Sequence, residues 1–338
     1  ETLESKIVGD IDLDYSKSRF ADFVNDVVIT ANLKDSRIAS NDLNTFYNEF
    51  GPDQLIFLDA ELLGTLNNFT ATDLTLKTAD TDIRGDYVFQ NILDKEKEYV
   101  IVANNHNIST HYFDLRRFMP RVLGDVIPVE LKELGSFYLR GNTSIIGNEL
   151  KTKSILQSGI GQANVDLEMG NINNIENAYY NGNVLLRDFN LGKISKTTSL
   201  GKMTANLDFD GRGFDKNTVN TEISGTISSF GFEGYNYQNI VVSGNLKNPL
   251  FNGELSIDDP NLKLDFKGLI DASMETNQLD FEADVEFAEL NNLNLITRDS
   301  IAVFTGKVVV DMAGRTIDDV VGTINFSHTF YQNERDDF

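Results

Sequence analysis

The sequence predicts an all-β protein: an elongated, curled, mostly antiparallel sheet with an apolar interior and a few short helices. Three observations predict it. Apolar and polar residues alternate strictly over many short runs. Asn, Asp and Pro clusters separate those runs. Glycine recurs within the runs, where a strand side chain would otherwise stand.

The alternation is clearest towards the C-terminus. Leu279, Phe281, Ala283, Val285 and Phe287 alternate with Asp280, Glu282, Asp284 and Glu286. Leu262, Leu264, Phe266 and Ile270 alternate with Lys263, Asp265, Lys267 and Asp271. Met203 to Phe209 and Ala163 to Met169 repeat the pattern. Side chains on a strand point to opposite faces with period two. Each run is therefore a strand with one apolar and one wet face. Asn173-Asn174, Asn248-Pro249, Asp258-Asp259-Pro260-Asn261, Asn291-Asn292 and Asp318-Asp319 supply the turns. Gly225, Gly244, Gly253, Gly268, Gly306 and Gly322 mark bulges or close backbone approach.

Helix signals are few. Leu43, Phe46, Tyr47 and Phe50 have helical spacing, with Ser40 or Asn41 as cap and Gly51-Pro52 as stop. Leu115, Phe118, Met119, Val122 and Leu123 repeat the spacing, interrupted by Pro120. A third short helix runs from Pro128 to Leu134, with Gly135 just past its end. The first two share Asp-Leu-x-x-Phe at Asp42 and Asp114, 72 positions apart, each followed by a strand. That self-similarity suggests a repetitive architecture. The expected organisation is a β-groove segment over 1–112 with a helix near 42–50. A helical insert follows over 113–135, and the same sheet continues over 136–338.

Composition bounds the function. The chain has 338 residues, 41% hydrophobic and 24% charged, which is too apolar for disorder. Cysteine is absent, so thiolate metal sites and disulfides are excluded. A net charge of -23 repels nucleic acid and anionic lipid headgroups. No apolar run reaches the roughly 18 residues of a membrane span. The first residue is Glu1 and the last is Phe338, close after a strand-like run. The chain reads as an excised middle portion whose anchor and export signal lie elsewhere.

The search for chemistry finds little. His106 and His111 fall in the polar stretch around Asn104-Asn105 and read as exposed loop histidines without triad partners. Asp80, Asp82 and Asp86, like Asp10, Asp12 and Asp14, read as solvated strand faces, with Arg84 supplying counter-charge. They lack the glycine and closing Glu of an EF-hand. Gly159-Ile160-Gly161 has no following helix or lysine and is not a phosphate loop. No cofactor, metal or catalytic residue is implied. What stands out is the aromatic supply, 23 Phe and 11 Tyr, with the Phe mostly on the apolar face. A packed core is one use for such a face. A groove filled by lipid tails is another, because an exposed apolar strip needs a filling.

At this point the residues resemble a known family. Leu279 to Val285, Ala288-Glu289-Leu290, Leu293-Asn294-Leu295, Arg298 to Gly306, Val320 to Phe326 and Tyr331-Gln332-Asn333 resemble the AsmA-like group of bacterial envelope proteins. Within that group the likeness is to the TamB branch as found in Bacteroidota. Upstream, Asp114-Leu115 through Leu134-Gly135 resembles that group's short helical insert. The likeness is detailed over roughly 278–333, and Arg-Asp-Ser-Ile-Ala-Val-Phe-Thr-Gly is its most specific run. The family's N-terminal anchor and C-terminal domain are missing here.

The resemblance implies a long periplasmic β-groove, or β-taco, that spans from inner to outer membrane in the full-length protein. It implies phospholipid transport to the outer membrane with a TamA-type outer-membrane barrel as partner. An older role in outer-membrane protein assembly and secretion belongs to the same translocation and assembly module. It implies no enzyme activity. Membrane contact would come from parts of the full-length protein not present here. Asp299-Ser300-Ile301 also resembles the periplasmic O-glycosylation signal of that bacterial group, with Ser300 as acceptor.

The expected working surface is the apolar strand face. Acyl chains would lie against Leu255, Ile257, Leu262, Leu264, Phe266, Ile270, Leu279, Phe281, Val285, Phe287, Phe304, Val308, Val310, Ile324 and Phe326. Two other classes stay open. A structural or adhesive β-solenoid predicts a dry, closed core. A polysaccharide-acting β-helix enzyme predicts a carboxylate pair in an aromatic-lined cleft.

Overall fold

A computed structural model describes residues 4–17, 20–45, 48, 50–94, 96–118, 120, 129–174, 176–213, 218–247, 250–271, 277–314 and 319–335. The Asn248-Pro249 turn, Asp318, Phe46, Tyr47, Met119, Val122, Leu123 and Pro128 lie outside the described residues. The fold is all-β and antiparallel, an open sheet with a few short helices. The chain divides into two compact units, Glu1–Glu168 and Met169–Phe338.

The first unit is a meander. Its strands are β1 (Gly9–Asp14), β2 (Val28–Ala39), β3 (Leu55–Gly64), β4 (Asn68–Lys77), β5 (Asp82–Gln90), β6 (Val100–His111), β7 (Ser136–Ile146) and β8 (Glu149–Ser158). Strand β9 (Gly161–Gly170) carries the boundary between the units. Each of β1 to β8 pairs with its neighbour in sequence. Gly159-Ile160 forms the turn from β8 to β9, where Ser158 Oγ donates to Gly161 O at 2.9 Å.

The second unit repeats the scheme. Its strands are β10 (Tyr179–Asn190), β11 (Leu200–Arg212), β12 (Asn220–Phe232), β13 (Tyr235–Lys247), β14 (Leu250–Asp259), β15 (Leu262–Asp271), β16 (Gln278–Glu289), β17 (Ala302–Ala313) and β18 (Val321–Asn333). Pairing is again sequential and antiparallel. The Asp258–Asn261 turn is tied by Asp259, which is 1% exposed. Its carboxylate accepts from Tyr235 Oη (2.5 Å), Gln238 N (2.8 Å) and Asn261 N (2.8 Å).

The helices are short: α1 (Phe23–Asp26), α2 (Ser40–Leu43), α3 (Tyr112–Phe118), a 3-10 turn (Val129–Leu134) and α4 (Leu191–Ser195). The expected cap at Ser40 or Asn41 is corrected: both lie inside α2, and Ala39 precedes it without a side-chain cap bond. Their side chains serve the next loop instead. Ser40 Oγ accepts from Gln54 N at 2.9 Å, and Asn41 Oδ1 accepts from Asp53 N at 3.1 Å. Helix α3 starts at Tyr112, three residues before the predicted periodicity, and its end meets that same loop. Gly51 N donates to Phe118 O at 3.0 Å, and the Phe50 and Phe118 rings meet edge to face at 5.7 Å.

A line of bulges crosses the first unit. Asp35 in β2, Asp73 in β4 and Asn105 in β6 have φ of 54°, 50° and 51°. At each the register shifts. Each bulge N–H is taken by a side chain of the following strand. Asp35 N donates to Asp59 Oδ1 (2.5 Å), Asp73 N to Asp86 Oδ1 (2.9 Å) and Asn105 N to Asn142 Oδ1 (2.9 Å). Asn and Asp tolerate the left-handed conformation, and an unpaired ladder N–H needs a partner. Bulges bend a strand and raise its twist, so an aligned series creases the sheet.

Candidate functional site: the apolar face of the second unit

Register turns the alternation of single strands into rows that cross the unit. Val184, Leu207, Gly225, Val242, Leu255, Phe266, Ala283, Val308 and Phe326 are successive partners from β10 to β18. A second row joins Leu186, Ala205, Ile227, Ile240, Ile257, Leu264, Val285 and Gly306. A third passes through Gly244, Gly253, Gly268, Phe281, Val310 and Ile324. A fourth includes Leu246, Phe251, Ile270, Leu279 and Met312, and a short fifth joins Leu262, Ala288 and Phe304. A one-residue slip would throw every row to the wet face, so the pattern fixes the register.

The predicted lining residues fall on these rows, with one exception. Phe287 sits at a register shift in β16, opposite Lys263, and Ala288 takes the place in the row beside Leu262. The bulge breaks the parity that alternation assumes. The rows also reach β10 to β13, through Leu207, Ile227, Ile240 and Val242. Sequence reading marked the Met203–Phe209 run as a strand but did not extend the lining to it.

Glycine shapes the middle of this face. Gly244, Gly253 and Gly268 are direct partners on three adjacent strands. A Cβ on Gly253 would meet Ser243 O at 2.4 Å and Gly244 Cα at 2.5 Å. The Phe251 ring lies over the gap, 2.9 Å from the same point. Aromatic centroids then step across the strands, Phe251 to Phe266 at 6.3 Å and Phe266 to Phe281 at 5.2 Å. The missing side chains make room for the rings.

Burial on this face is graded. Ile257, Leu262, Phe266 and Val310 are buried. Leu255, Leu264, Ile270, Leu279, Phe281, Val285, Phe304 and Val308 are only half-buried. On β18, Ile324 is 47% and Phe326 60% exposed. A contiguous apolar surface left this open is unusual in a soluble protein.

The opposite face is charged. Glu254, Lys267 and Glu282 are partners on β14 to β16, and Asp265, Asp284 and Lys307 follow on the next row. Lys267 Nζ lies 2.7 Å from Glu254 Oε1, and Lys307 pairs with Glu282. Neighbouring carboxylates hold both ammonium groups above their ordinary range: Glu254 first for Lys267, Glu282 first for Lys307. Ser300 is exposed in the loop before β17, where its N–H donates to Glu334. Asp299 beside it is held below the usual carboxylate range by Arg298. Among the described residues, no group of three or more His, Cys, Asp or Glu is placed to hold a metal ion. No helix there is long and apolar enough to cross a membrane.

The corresponding face of the first unit differs. Around Ala71, Tyr87 and Ala103 it is apolar, with Leu62, Phe69 and Phe89 packed alongside. Towards β8 it becomes polar. The histidine expectation is corrected here: His106 lies within β6, directly after the bulge, and is 2% exposed. His106 Nε2 is 2.9 Å from Thr143 Oγ1. Thr143 Oγ1 meets Thr152 Oγ1 at 2.8 Å, and Thr152 Oγ1 meets Ser154 Oγ at 2.7 Å. His111 ends β6 and is half-buried, its Nδ1 3.1 Å from Asp114 Oδ2. Burial raises the Asp114 carboxyl above its ordinary range, against the pull of His111. The expected counter-charge of Arg84 is present, with Nε and Nη2 each 2.8 Å from the Asp82 carboxylate.

No family model, curated protein or solved structure matches this chain.

Proposed function

We propose that the chain is a segment of a periplasmic β-groove that carries phospholipid between the inner and outer membranes and supports outer-membrane biogenesis. The observation that carries this reading is the set of apolar rows crossing β10 to β18, half-exposed on one face and backed by a charged face. Acyl chains would lie along the rows with headgroups in water. Each methylene removed from water contributes about 0.8 kcal/mol, so a chain binds without polar recognition. Passive transfer of this kind needs no catalytic residue. The sequence resemblance to TamB adds the setting: a translocation and assembly module, with a TamA-type outer-membrane barrel as the receiving partner. Ser300 is the proposed site of O-glycan attachment, on the exposed loop before β17.

A closed structural solenoid would bury these side chains. The exposure of Phe326 and the half-exposure of Phe281 favour an unfilled face. The test is native mass spectrometry of the purified chain, with photoreactive residues at Phe281 and, as a control on the charged face, at Glu282. Co-purified phospholipid and crosslinking from position 281 but not 282 is the expected outcome. A lipid-free protein with equal, weak crosslinking at both positions would sink the proposal.

A further inference from the structure

A buried imidazole stands on the inner face of the first unit with no charged partner. His106 is flanked in register by glycine: Gly141 is its partner on β7, and Gly85 lies opposite the bulge on β5. A Cβ on Gly85 would come within 2.9 Å of His106 Cα, so the close approach of β5 to β6 here requires a residue without a side chain. Nε2 lies 2.9 Å from Thr143 Oγ1 and 3.4 Å from Ser154 Oγ. Nδ1 is buried and has no hydrogen-bond partner.

Among the described residues, no charge on this face would offset an imidazolium. On β5 the titratable side chain sharing the face is Tyr87, whose hydroxyl is pushed up to about 12 by burial and stays neutral. Asp82, Arg84 and Asp86 of β5 alternate onto the other face. So do Tyr138 and Arg140 of β7 and Glu149, Lys151 and Lys153 of β8. On β6 itself, His111 lies at the far end against Asp114. A second N–H on the ring would therefore appear at Nδ1 with no counter-ion, and the backbone carbonyls of Leu139 and His106 offset only part of the desolvation that disfavours the charged form.

We propose that His106 is an acid-operated latch: protonation at Nδ1 places a charge without a counter-ion inside the sheet face and loosens β6 to β8 beside the bulge line. The proposal is independent of what, if anything, the second unit carries. Desolvation holds the ring below the ordinary imidazole value of 6.5, in keeping with this geometry. The unfolded chain then takes up the proton first. Stability from this site is present above about pH 6.5 and is lost as pH falls through the lower folded value.

Two measurements on the intact chain test it. The first is a proton NMR titration of the histidine rings, with His106 assigned by its loss in His106→Gln. The second is hydrogen exchange of β6 to β8, corrected for intrinsic rates, at about pH 5 and about pH 7.5. The ring is expected to titrate below 6.5. The β6 to β8 amides are expected to exchange several-fold faster at the lower pH. His106→Gln, which cannot charge, should show no such acceleration. A ring titrating at or above 6.5, or the same acceleration in His106→Gln, overturns the proposal. Should that variant fail to fold, the wild-type exchange decides: without acid acceleration of these amides the latch does not exist.

Discussion

The two units use one backbone scheme and give it different chemistry. Each is a sequential antiparallel meander in which register stacks inward side chains into rows across the strands. In the second unit the rows are Leu, Ile, Val and Phe, with glycines making room for rings. In the first unit the row holding Ala71, Tyr87 and Ala103 runs on into Thr143 and Thr152. A meander thus sets where side chains go but not what they do. Continuity of an apolar path belongs to the second unit, and the titratable polar station belongs to the first.

The comparison can be broken first at Phe266, the ring at the centre of the aromatic steps and 9% exposed. Phe266→Ala is expected to cost about 3 kcal/mol in urea titration, the range for emptying a packed aromatic site. A loss under about 1 kcal/mol would mean that the face does not depend on its rings. Gly253→Val should follow, at about 2 kcal/mol, because the new Cβ meets backbone in every rotamer. In the first unit, Thr143→Val keeps the shape and removes the hydroxyl between His106 and Thr152. Its expected cost is about 1 kcal/mol, the net worth of a partly buried hydrogen bond. Circular dichroism melts of the two variants side by side would rank them. A larger effect for Thr143→Val would reverse the division between the units.

Much of this was legible in the sequence, and the gaps have physical causes. The strands from β14 to β18 announce themselves because one face is wet, so period two survives in the residues. Phe287 misled because a bulge after Val285 shifts parity, and a bulge of ordinary residues leaves no mark in an alternating string. The bulges at Asp35, Asp73 and Asn105 did leave one, an Asx flanked by apolar alternation. It was invisible as a series until register aligned it with Asp59, Asp86 and Asn142. His106 was misread because Asn104, Asn105 and Asn107 make a loop-like composition. Its register neighbours across the sheet, Gly85 and Gly141, are 21 and 35 positions away in sequence. Non-local surroundings of that kind cannot be read from a local window.

The smallest expected effect lies on the charged face, and it is the one that sharpens the assignment of the inner face as the working surface. Lys267 bridges Glu254 at 2.7 Å and stands opposite Glu282 in register. Both members of the Lys267–Glu254 pair are well exposed, at 76% and 63%. Water and salt screen such a pair, and ordering two long side chains offsets most of the attraction. Lys267→Gln keeps the aliphatic stem and removes the charge. Its expected effect on the urea midpoint is below about 0.5 kcal/mol, shrinking further at high salt. The Glu254 and Glu282 carboxylates left behind stand two strand spacings apart, so their repulsion falls within the same range. A loss above about 1 kcal/mol that persists at high salt would make the charged face a structural element. The sheet would then hold its shape from both sides, and the apolar rows would no longer be set apart as the face left free to bind.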